Sequence, residues 1–162
     1  MQIEETRKYL GNDYLFEYSD CDDFSRLPKN QCTQVYGVCF LDNKIVIGFR
    51  KKQNEWGLIG GTIENNEPFE ETLKREIKEE SNMEVTSYFP IGYQKITELD
   101  GKQIYQLRYY CKANKLGKFV KDPDDNIVKI KLINPLEYKK YFDWGKIGDR
   151  IIQRAMELKK NL

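Results

Sequence analysis

Histidine is absent from the 162-residue chain, and its absence removes several common kinds of active site. Neither a Ser-His-Asp triad nor a Cys-His pair can be assembled without the imidazole that activates the nucleophile. Any proton transfer in catalysis would therefore fall to carboxylates, lysines, tyrosines or a bound metal ion.

Cysteine is scarce, and the four cysteines (Cys21, Cys32, Cys39 and Cys111) form no Cys-X-X-Cys pair. With no histidine to complete a ligand set, a structural zinc site is not expected. Cys39 and Cys111 lie within apolar, strand-like runs of sequence. We therefore expect them to be reduced thiols in the core.

Long apolar runs and an excess of charge of one sign are also missing. No stretch approaches the roughly 18 apolar residues of a membrane helix, and residues 1–18 contain no apolar core of signal-peptide length. The 27 Lys and Arg nearly balance the 26 Asp and Glu, which leaves a net charge of +1. We therefore expect a cytoplasmic protein whose partners include neither a membrane nor a nucleic acid polymer.

The order of predicted elements indicates one α/β domain with a mixed β-sheet. Strand patterns cover residues 34–40, 44–50, 85–98, 103–114 and 127–133. Helix patterns cover residues 68–82, 135–142 and 147–159. Pro68 suits the first turn of the first helix, and Asn82 is a residue that accepts the left-handed conformation of a helix end.

Residues 1–30 precede these patterns and are predicted to be an N-terminal extension of the same unit. Segments 6–10 and 14–18 flank a Gly-Asn-Asp turn and predict a hairpin. Residues 19–30 are polar and acidic, and we interpret them as a loop or a short helix. A homodimer in which this hairpin adds a strand to a neighbour is an open alternative.

Three glutamates on the first helix, Glu76, Glu79 and Glu80, are separated by helical spacings of three and four residues. Such residues are neighbours on one face, where like charges destabilise a helix by roughly 0.2–0.5 kcal/mol per pair. A positive partner would relieve the repulsion. A divalent cation is one candidate, and nearby Lys or Arg is the other.

The segment around these glutamates resembles the Nudix box, which specifies Gly, five residues, Glu, seven residues, and then Arg-Glu-apolar-X-Glu-Glu-X-Gly-apolar. In this chain the segment is Gly61, five residues, Glu67, seven residues, and REIKEESNM. Every specified position matches except the final glycine, which is Asn82. Because Asn accepts the backbone conformation that glycine would supply, the departure leaves the expected function intact.

The resemblance implies a Nudix-type α/β/α sandwich over residues 31–162 with a loop–helix–loop catalytic motif. It also implies that Glu76, Glu79 and Glu80 bind Mg²⁺ or Mn²⁺ with the carbonyl of Gly60, and that Glu76 or Glu79 is the general base. Glu67 and Arg75 would pair and brace the loop. Three carboxylates without histidine or thiol form a donor set suited to such hard cations.

The resemblance further implies hydrolysis of a nucleoside diphosphate linked to another group, such as a nucleoside triphosphate or a nucleotide sugar. Two rivals remain open. The first is a Nudix domain that senses a nucleotide without turning it over. The second is isoprenoid diphosphate isomerisation, a reaction on the same fold that draws on a histidine and is therefore disfavoured here.

Several residues outside the motif are candidates for contacts with substrate or metal, each beside a simpler alternative. Arg50 would contact a phosphate or be a surface charge at a strand end. One of Asp122, Asp124 and Asp125 would be a further metal ligand or an ordinary loop residue. The following aromatic residues would stack on a base or pack in the core: Tyr36, Phe49, Tyr105, Tyr109 and Trp144.

Overall fold

One eight-stranded β-sheet forms the centre of the molecule in the computed structural model, which describes residues 1–162 apart from the side chain of Tyr9. The strands are β1 (Gln2–Tyr9), β2 (Asn12–Asp20), β3 (Cys32–Leu41), β4 (Lys44–Arg50), β5 (Glu55–Thr62), β6 (Met83–Thr97), β7 (Gln103–Lys115) and β8 (Ile127–Ile133). Their order is β1-β2-β6-β7-β3-β5-β4-β8. Strands β3 and β7 are parallel and the other pairs are antiparallel, so the sheet is mixed, as predicted.

Helices cover both faces of this sheet. Because successive residues of a strand point to opposite faces, β3 contributes to two separate cores. Val38 and Phe40 pack in the core that contains Ile151 of α2 (Gly145–Asn161). Val35 and Cys39 pack in the core that contains Leu73 and Ile77 of α1 (Phe69–Ser81). The predicted α/β/α sandwich is confirmed.

Short elements complete the fold. Two 3₁₀ helices span Lys29–Gln31 and Pro135–Lys140, the second where a short helix was predicted. Cys39 and Cys111 are fully buried free thiols, as expected. Across the described residues, no helix is both long and apolar enough to cross a membrane.

The N-terminal segment forms the predicted hairpin, with longer strands than expected and an earlier turn. The turn is Leu10-Gly11, whose φ angles of 50° and 82° fit the type I′ geometry that joins twisted strands. Strand β2 pairs with β6, so the hairpin extends the sheet. It also contacts α2, because Arg150 donates to Asp20 at 2.7 Å.

Strand β5 was not predicted, although it lies between β3 and β4 and pairs with both. Its sequence, EWGLIGGT, contains three glycines, which are depleted in strands because they offer no side chain to pack. Pairing on both sides keeps this segment extended. The β-propensity of its residues is too low for a strand to be predicted from the sequence alone.

Helix α1 has the predicted limits, between Pro68 at the N-cap and Asn82 at the C-cap. Asn82 has φ 53° and ψ 44°, the left-handed conformation that a glycine would otherwise supply. Its side-chain amide also donates to the carbonyl of Lys118 at 3.2 Å. The departure from the family's glycine is therefore accommodated without a change in the helix end.

We expect Asn82→Ala to lower the free energy of unfolding by about 1 kcal/mol, because alanine tolerates the left-handed conformation poorly. Asn82→Gly should lie within about 0.5 kcal/mol of the natural protein, since easier backbone geometry offsets the lost hydrogen bond. Urea unfolding of the three proteins measures both values. Equal losses in the two variants would contradict the conformational explanation.

Candidate active site

A cleft of about 460 Å³ lies where the ends of β3 and β5 meet α1 and the loop before β8. One wall is acidic and comes from α1 and the loop. The opposite wall comes from β3 and β4. The lining residues used below are Gln34, Tyr36, Arg50, Gln53, Gly60, Gly61, Arg75, Glu76, Glu80, Asp124 and Asn126.

Arg75 and Glu67 brace the loop that precedes α1. The Arg75 Nε and Nη2 atoms donate to the two oxygens of Glu67 at 2.8 and 2.9 Å, and Thr72 Oγ1 donates to Glu67 at 2.8 Å. The hydrogen bonds from Arg75 are the main cause that lowers the pKa of Glu67 to about 2. The structure thus places these two residues in the paired arrangement that the family resemblance implies.

The same guanidinium also contacts two of the clustered glutamates. Arg75 Nη1 donates to Glu76 Oε1 at 2.8 Å and to Glu79 Oε2 at 3.3 Å. Lys74 pairs with Glu71 on the solvent face instead. Arg75 is therefore the positive partner of the cluster in this structure, which was one of the two alternatives left open by the sequence.

Glu76 is buried against the backbone of β5. A Cβ atom added at Gly61 would lie 2.6 Å from the carboxyl carbon of Glu76, so only glycine lets the acid approach this closely. Burial raises the pKa of Glu76, and the adjacent Arg75 opposes that shift. Glu79 and Asp124 add smaller contributions that raise the pKa further.

Glu80 is 3% exposed and has no ion-pair partner among the described residues. Its oxygens accept hydrogen bonds from the Gly60 backbone N–H at 3.0 Å and from Asn126 Nδ2 at 3.1 Å. Burial, which these bonds only partly offset, raises its pKa to about 7. Gly60 itself has φ 152°, and a Cβ atom there would lie 2.1 Å from the Val35 carbonyl oxygen.

The three candidate aspartates of the following loop have separate roles. Asp122 is 1% exposed and accepts from the backbone N–H groups of Asp124, Asn126 and Ile127, so it shapes the loop. Asp125 pairs with Lys51 on the surface at 2.8 Å. Only Asp124 lines the cleft with Glu76 and Glu80.

Arg50 is not a solvated surface charge, since it is 8% exposed and lines the cleft. Its Nη2 atom donates to the carbonyl of Leu58 at 2.6 Å, and its guanidinium lies 5.6 Å from the centre of the Tyr36 ring. No carboxylate of the described residues forms an ion pair with it. A cation with spare donors therefore faces the acidic wall.

Of the aromatic candidates, Tyr36 alone lines the cleft. Tyr109 is 1% exposed and packs against Phe24 in the core. The other three pack against neighbouring rings: Phe49 on Trp56, Tyr105 on Tyr93 and Trp144 on Phe142. Asn126 and Gln34 are further lining residues that the sequence did not single out, because a lone amide in a loop or strand carries no recognisable signal.

Carboxylate oxygens are the donors that a hard cation prefers, but in this structure they do not converge on a single point. Among the described side chains, no three carboxylates or thiols are grouped closely enough to hold a metal ion. Glu79 lines the neighbouring groove with Lys78 rather than the cleft. Two buried carboxylates, Glu76 and Glu80, nevertheless lie in the cleft with Asp124, and such an excess of buried negative charge favours a bound cation.

The chain belongs to the Nudix family: the NUDIX domain profile matches residues 33–155, which is most of the chain. It is therefore a Nudix hydrolase, as its motif predicted. Nudix enzymes generally use divalent metals and act on small nucleotide substrates.

Solved structures of Nudix proteins resemble this one over most of its length. The pyrophosphohydrolase BsRppH of Bacillus subtilis has a TM-score of 0.70 at 19% identity, covering 88% of this chain and 92% of its own. A NUDIX family hydrolase of Clostridium perfringens has a TM-score of 0.63 at 18% identity, covering 80% and 99%. The MutT NUDIX hydrolase of Burkholderia pseudomallei has a TM-score of 0.58 at 16% identity, covering 75% and 95%.

At these identities the likeness establishes a shared fold and transfers no substrate. No curated protein sequence matches the chain.

We expect Glu67→Gln to lower the free energy of unfolding at pH 7 by roughly 1–3 kcal/mol, because it removes the anion that Arg75 holds. The folded-state pKa of Glu67 is about 2, below the unfolded value. Its contribution is therefore complete above the unfolded pKa of about 4.3 and is lost as the pH falls toward 2. The difference between the two proteins should shrink over that interval.

Urea unfolding at about pH 7, 4 and 3 measures this dependence. Glu71→Gln is the matched control, because Glu71 lies on the same helix and its ion pair with Lys74 is exposed. It should change stability by less than about 0.5 kcal/mol. A Glu67→Gln effect that stays constant with pH would contradict the proposed ion pair.

Proposed function

We propose that this Nudix hydrolase uses a divalent cation, Mg²⁺ or Mn²⁺, to cleave the pyrophosphate linkage of a nucleoside diphosphate derivative. A nucleoside triphosphate or a nucleotide sugar is the substrate class. The observation that carries the proposal is the pair of buried carboxylates, Glu76 and Glu80, facing the unpaired cation Arg50 across one cleft.

The cation would be held by Glu76, Glu79 and Glu80, with the Gly60 carbonyl and Asp124 as further ligands. Burial raises the pKa of both Glu76 and Glu80, so the positive charge near each carboxylate stabilises its ionised form only in part. When bound, a divalent cation neutralises phosphate oxygens and makes an attacking water more acidic. To bind the cation, Glu76 and Glu79 would have to replace their hydrogen bonds from Arg75 with contacts to the metal ion.

The chain's own residues supply the remaining chemistry. Arg50, held by the Leu58 carbonyl, presents donors to a phosphate in the cleft. Glu76 or Glu79 accepts the proton of the attacking water. Glu67 and Arg75 hold the loop so that Gly60 and Gly61 stay beside these acids.

The second candidate is a nucleotide sensor that does not turn its ligand over. The observation in its favour is that Arg75 already engages both Glu76 and Glu79. A sensor could keep this arrangement permanently, whereas a hydrolase must release at least one carboxylate.

We also propose that residues 1–30 belong to the same folding unit as residues 31–162. Supporting this are the β2–β6 pairing and the contact between Asp20 and Arg150. The cytoplasmic location and a homodimer formed through the hairpin remain predictions.

We expect the protein to hydrolyse at least one member of a broad panel of nucleoside triphosphates and nucleotide sugars in Mg²⁺ or Mn²⁺. Glu79→Gln and Glu76→Gln should each be assayed, and loss of the general base should lower kcat by about 10²–10⁴-fold. Phosphate or nucleotide release measures the rates. Binding without turnover across the whole panel would favour the sensor and overturn the enzyme.

We expect Mg²⁺ or Mn²⁺ to raise the melting temperature by several degrees when present at about 100-fold above its Kd, a stabilisation of about 2.7 kcal/mol. Glu80→Gln should remove this shift, and Glu71→Gln should retain it. Without metal at about pH 8, Glu80→Gln should itself be more stable than the natural protein, because it removes a buried charge whose pKa is about 7.

Differential scanning fluorimetry records all three responses. If Mg²⁺ or Mn²⁺ raises the melting temperature of Glu80→Gln as much as that of the natural protein, Glu80 is not a metal ligand.

A further inference from the structure

Three glutamines form a row across the sheet that ends in the cleft. Gln94 of β6 and Gln34 of β3 are both register partners of Gln106 on β7, which lies between them. Gln94 Nε2 donates to Gln106 Oε1 at 3.3 Å, and Gln106 Nε2 donates to Gln34 Oε1 at 2.6 Å. Gln34 is the member of the row that lines the cleft.

Arg108 fixes the direction of this row. It is 3% exposed, it has no carboxylate partner among the described residues, and its Nη2 atom donates to Gln106 Oε1 at 3.0 Å. A guanidinium carries donors and no acceptor, so the atom of Gln106 that faces it has to be the amide oxygen. The amide nitrogen of Gln106 must then point the other way, toward Gln34.

The direction continues into the cleft. Since the nitrogen of Gln106 can only donate, Gln34 turns its oxygen to it and accepts that hydrogen bond. No acceptor among the described residues takes a hydrogen bond from Gln34 Nε2. The N–H groups of Gln34 therefore have no protein acceptor within the described part of the chain, in a residue that lines the cleft with Tyr36 and Arg50.

This wall of the cleft therefore presents donors. The guanidinium of Arg108 lies 4.8 Å from the centre of the Tyr36 ring, and that of Arg50 lies 5.6 Å from it. Tyr36 and Gln34 both line the cleft. Burial lowers the pKa of Arg108 to about 10, so it remains charged, and a donor, at neutral pH. Reversing Gln106 would aim its amide N–H groups at a cation that cannot accept them.

We propose that Gln34 offers its amide N–H groups to the nucleobase, so that the cleft selects bases with a ring carbonyl oxygen over those with an amino group there. Hypoxanthine, guanine and uracil belong to the first group, and adenine and cytosine to the second. Gln106 and Arg108 are positioning residues that act through Gln34. The proposal rests on the proposed function, because it places a nucleotide in this cleft.

Matched nucleotide pairs test the selection. ITP and ATP differ at purine positions 6 and 1, and UTP and CTP differ at pyrimidine positions 4 and 3. In each pair an amino group replaces the carbonyl, and the neighbouring ring nitrogen loses its hydrogen. We expect kcat/KM to favour ITP over ATP, or UTP over CTP, by about tenfold or more, since a mismatched donor costs at least one hydrogen bond. Gln34→Ala should bring the ratio close to one.

Gln106→Glu tests the positioning role of Gln106 and Arg108, because it should reverse the direction of the hydrogen bond between residue 106 and Gln34. The introduced carboxylate can only accept, so it can take hydrogen bonds from Arg108, Gln94 and the nitrogen of Gln34. Gln34 would then turn its oxygen to the cleft, and the preference should shift toward ATP or CTP. The new ion pair with Arg108 should keep the protein folded, which its melting temperature will verify.

Gln53→Glu is the matched control, because Gln53 lines the same cleft but lies outside the row. It adds the same charge and should leave the carbonyl-to-amino ratio unchanged. A ratio near one in the natural protein overturns the selection. A ratio that Gln106→Glu leaves unchanged, or that Gln53→Glu changes equally, overturns the positioning role.

Binding separates this proposal from the proposed function. Isothermal titration calorimetry with ITP, ATP, UTP and CTP, performed on Glu79→Gln in the presence of Mg²⁺, reports base preference without turnover. If the protein hydrolyses both members of each nucleotide pair at equal rates and binds them with equal affinity, the proposed base selection is wrong and the proposed hydrolase activity is supported. If ITP or UTP binds preferentially but the natural protein hydrolyses no nucleotide, the base selection is supported and the hydrolase activity is contradicted. If no nucleotide binds, both proposals are wrong.

Discussion

The guanidinium of Arg75 is the interaction on which the site depends. It holds Glu67 by two hydrogen bonds, contacts Glu76 and Glu79, and donates to the backbone carbonyl of Thr62 at the end of β5. One side chain therefore ties together the loop, the helix and the strand that supply the acidic wall. Because arginine offers five donors in a planar fork, lysine could not make these contacts together.

This arrangement also explains how a chain with two buried glutamates remains stable. Arg75 compensates part of the charge of Glu76. Glu80 accepts two hydrogen bonds and lies near the charge of Arg50, yet burial still raises the pKa of both acids. The compensation is incomplete, and a cation is the ligand that would complete it. On the opposite side the imbalance is reversed, because Arg50 in the wall and Arg108 beside Tyr36 are buried without an ion-paired carboxylate among the described residues. A metal-bound phosphate compound with a polar base matches both walls.

The sequence predicted the parts of the molecule that local signals define. Helix α1 and its Asn82 end followed from residue spacing, and β8 from its β-branched run. Strand β5 was not predicted because its glycines permit close contacts, such as that of Gly61 with Glu76, and do not favour a strand in sequence. The three aspartates of one loop were indistinguishable in sequence, since only the folded backbone shows that Asp122 turns inward, Asp125 outward and Asp124 to the cleft.

The two walls of the cleft differ in how they are encoded. The acidic wall comes largely from consecutive turns of one helix, so a short motif describes it. The glutamine row that ends at the opposite wall joins residues of β3, β6 and β7 that are far apart in the chain, and it exists only through the pairing of β7 with β3 and β6. A slip of one residue would turn Gln34 or Gln106 to the opposite face. The motif therefore identifies the reaction class, whereas base selection depends on strand register that no local pattern records.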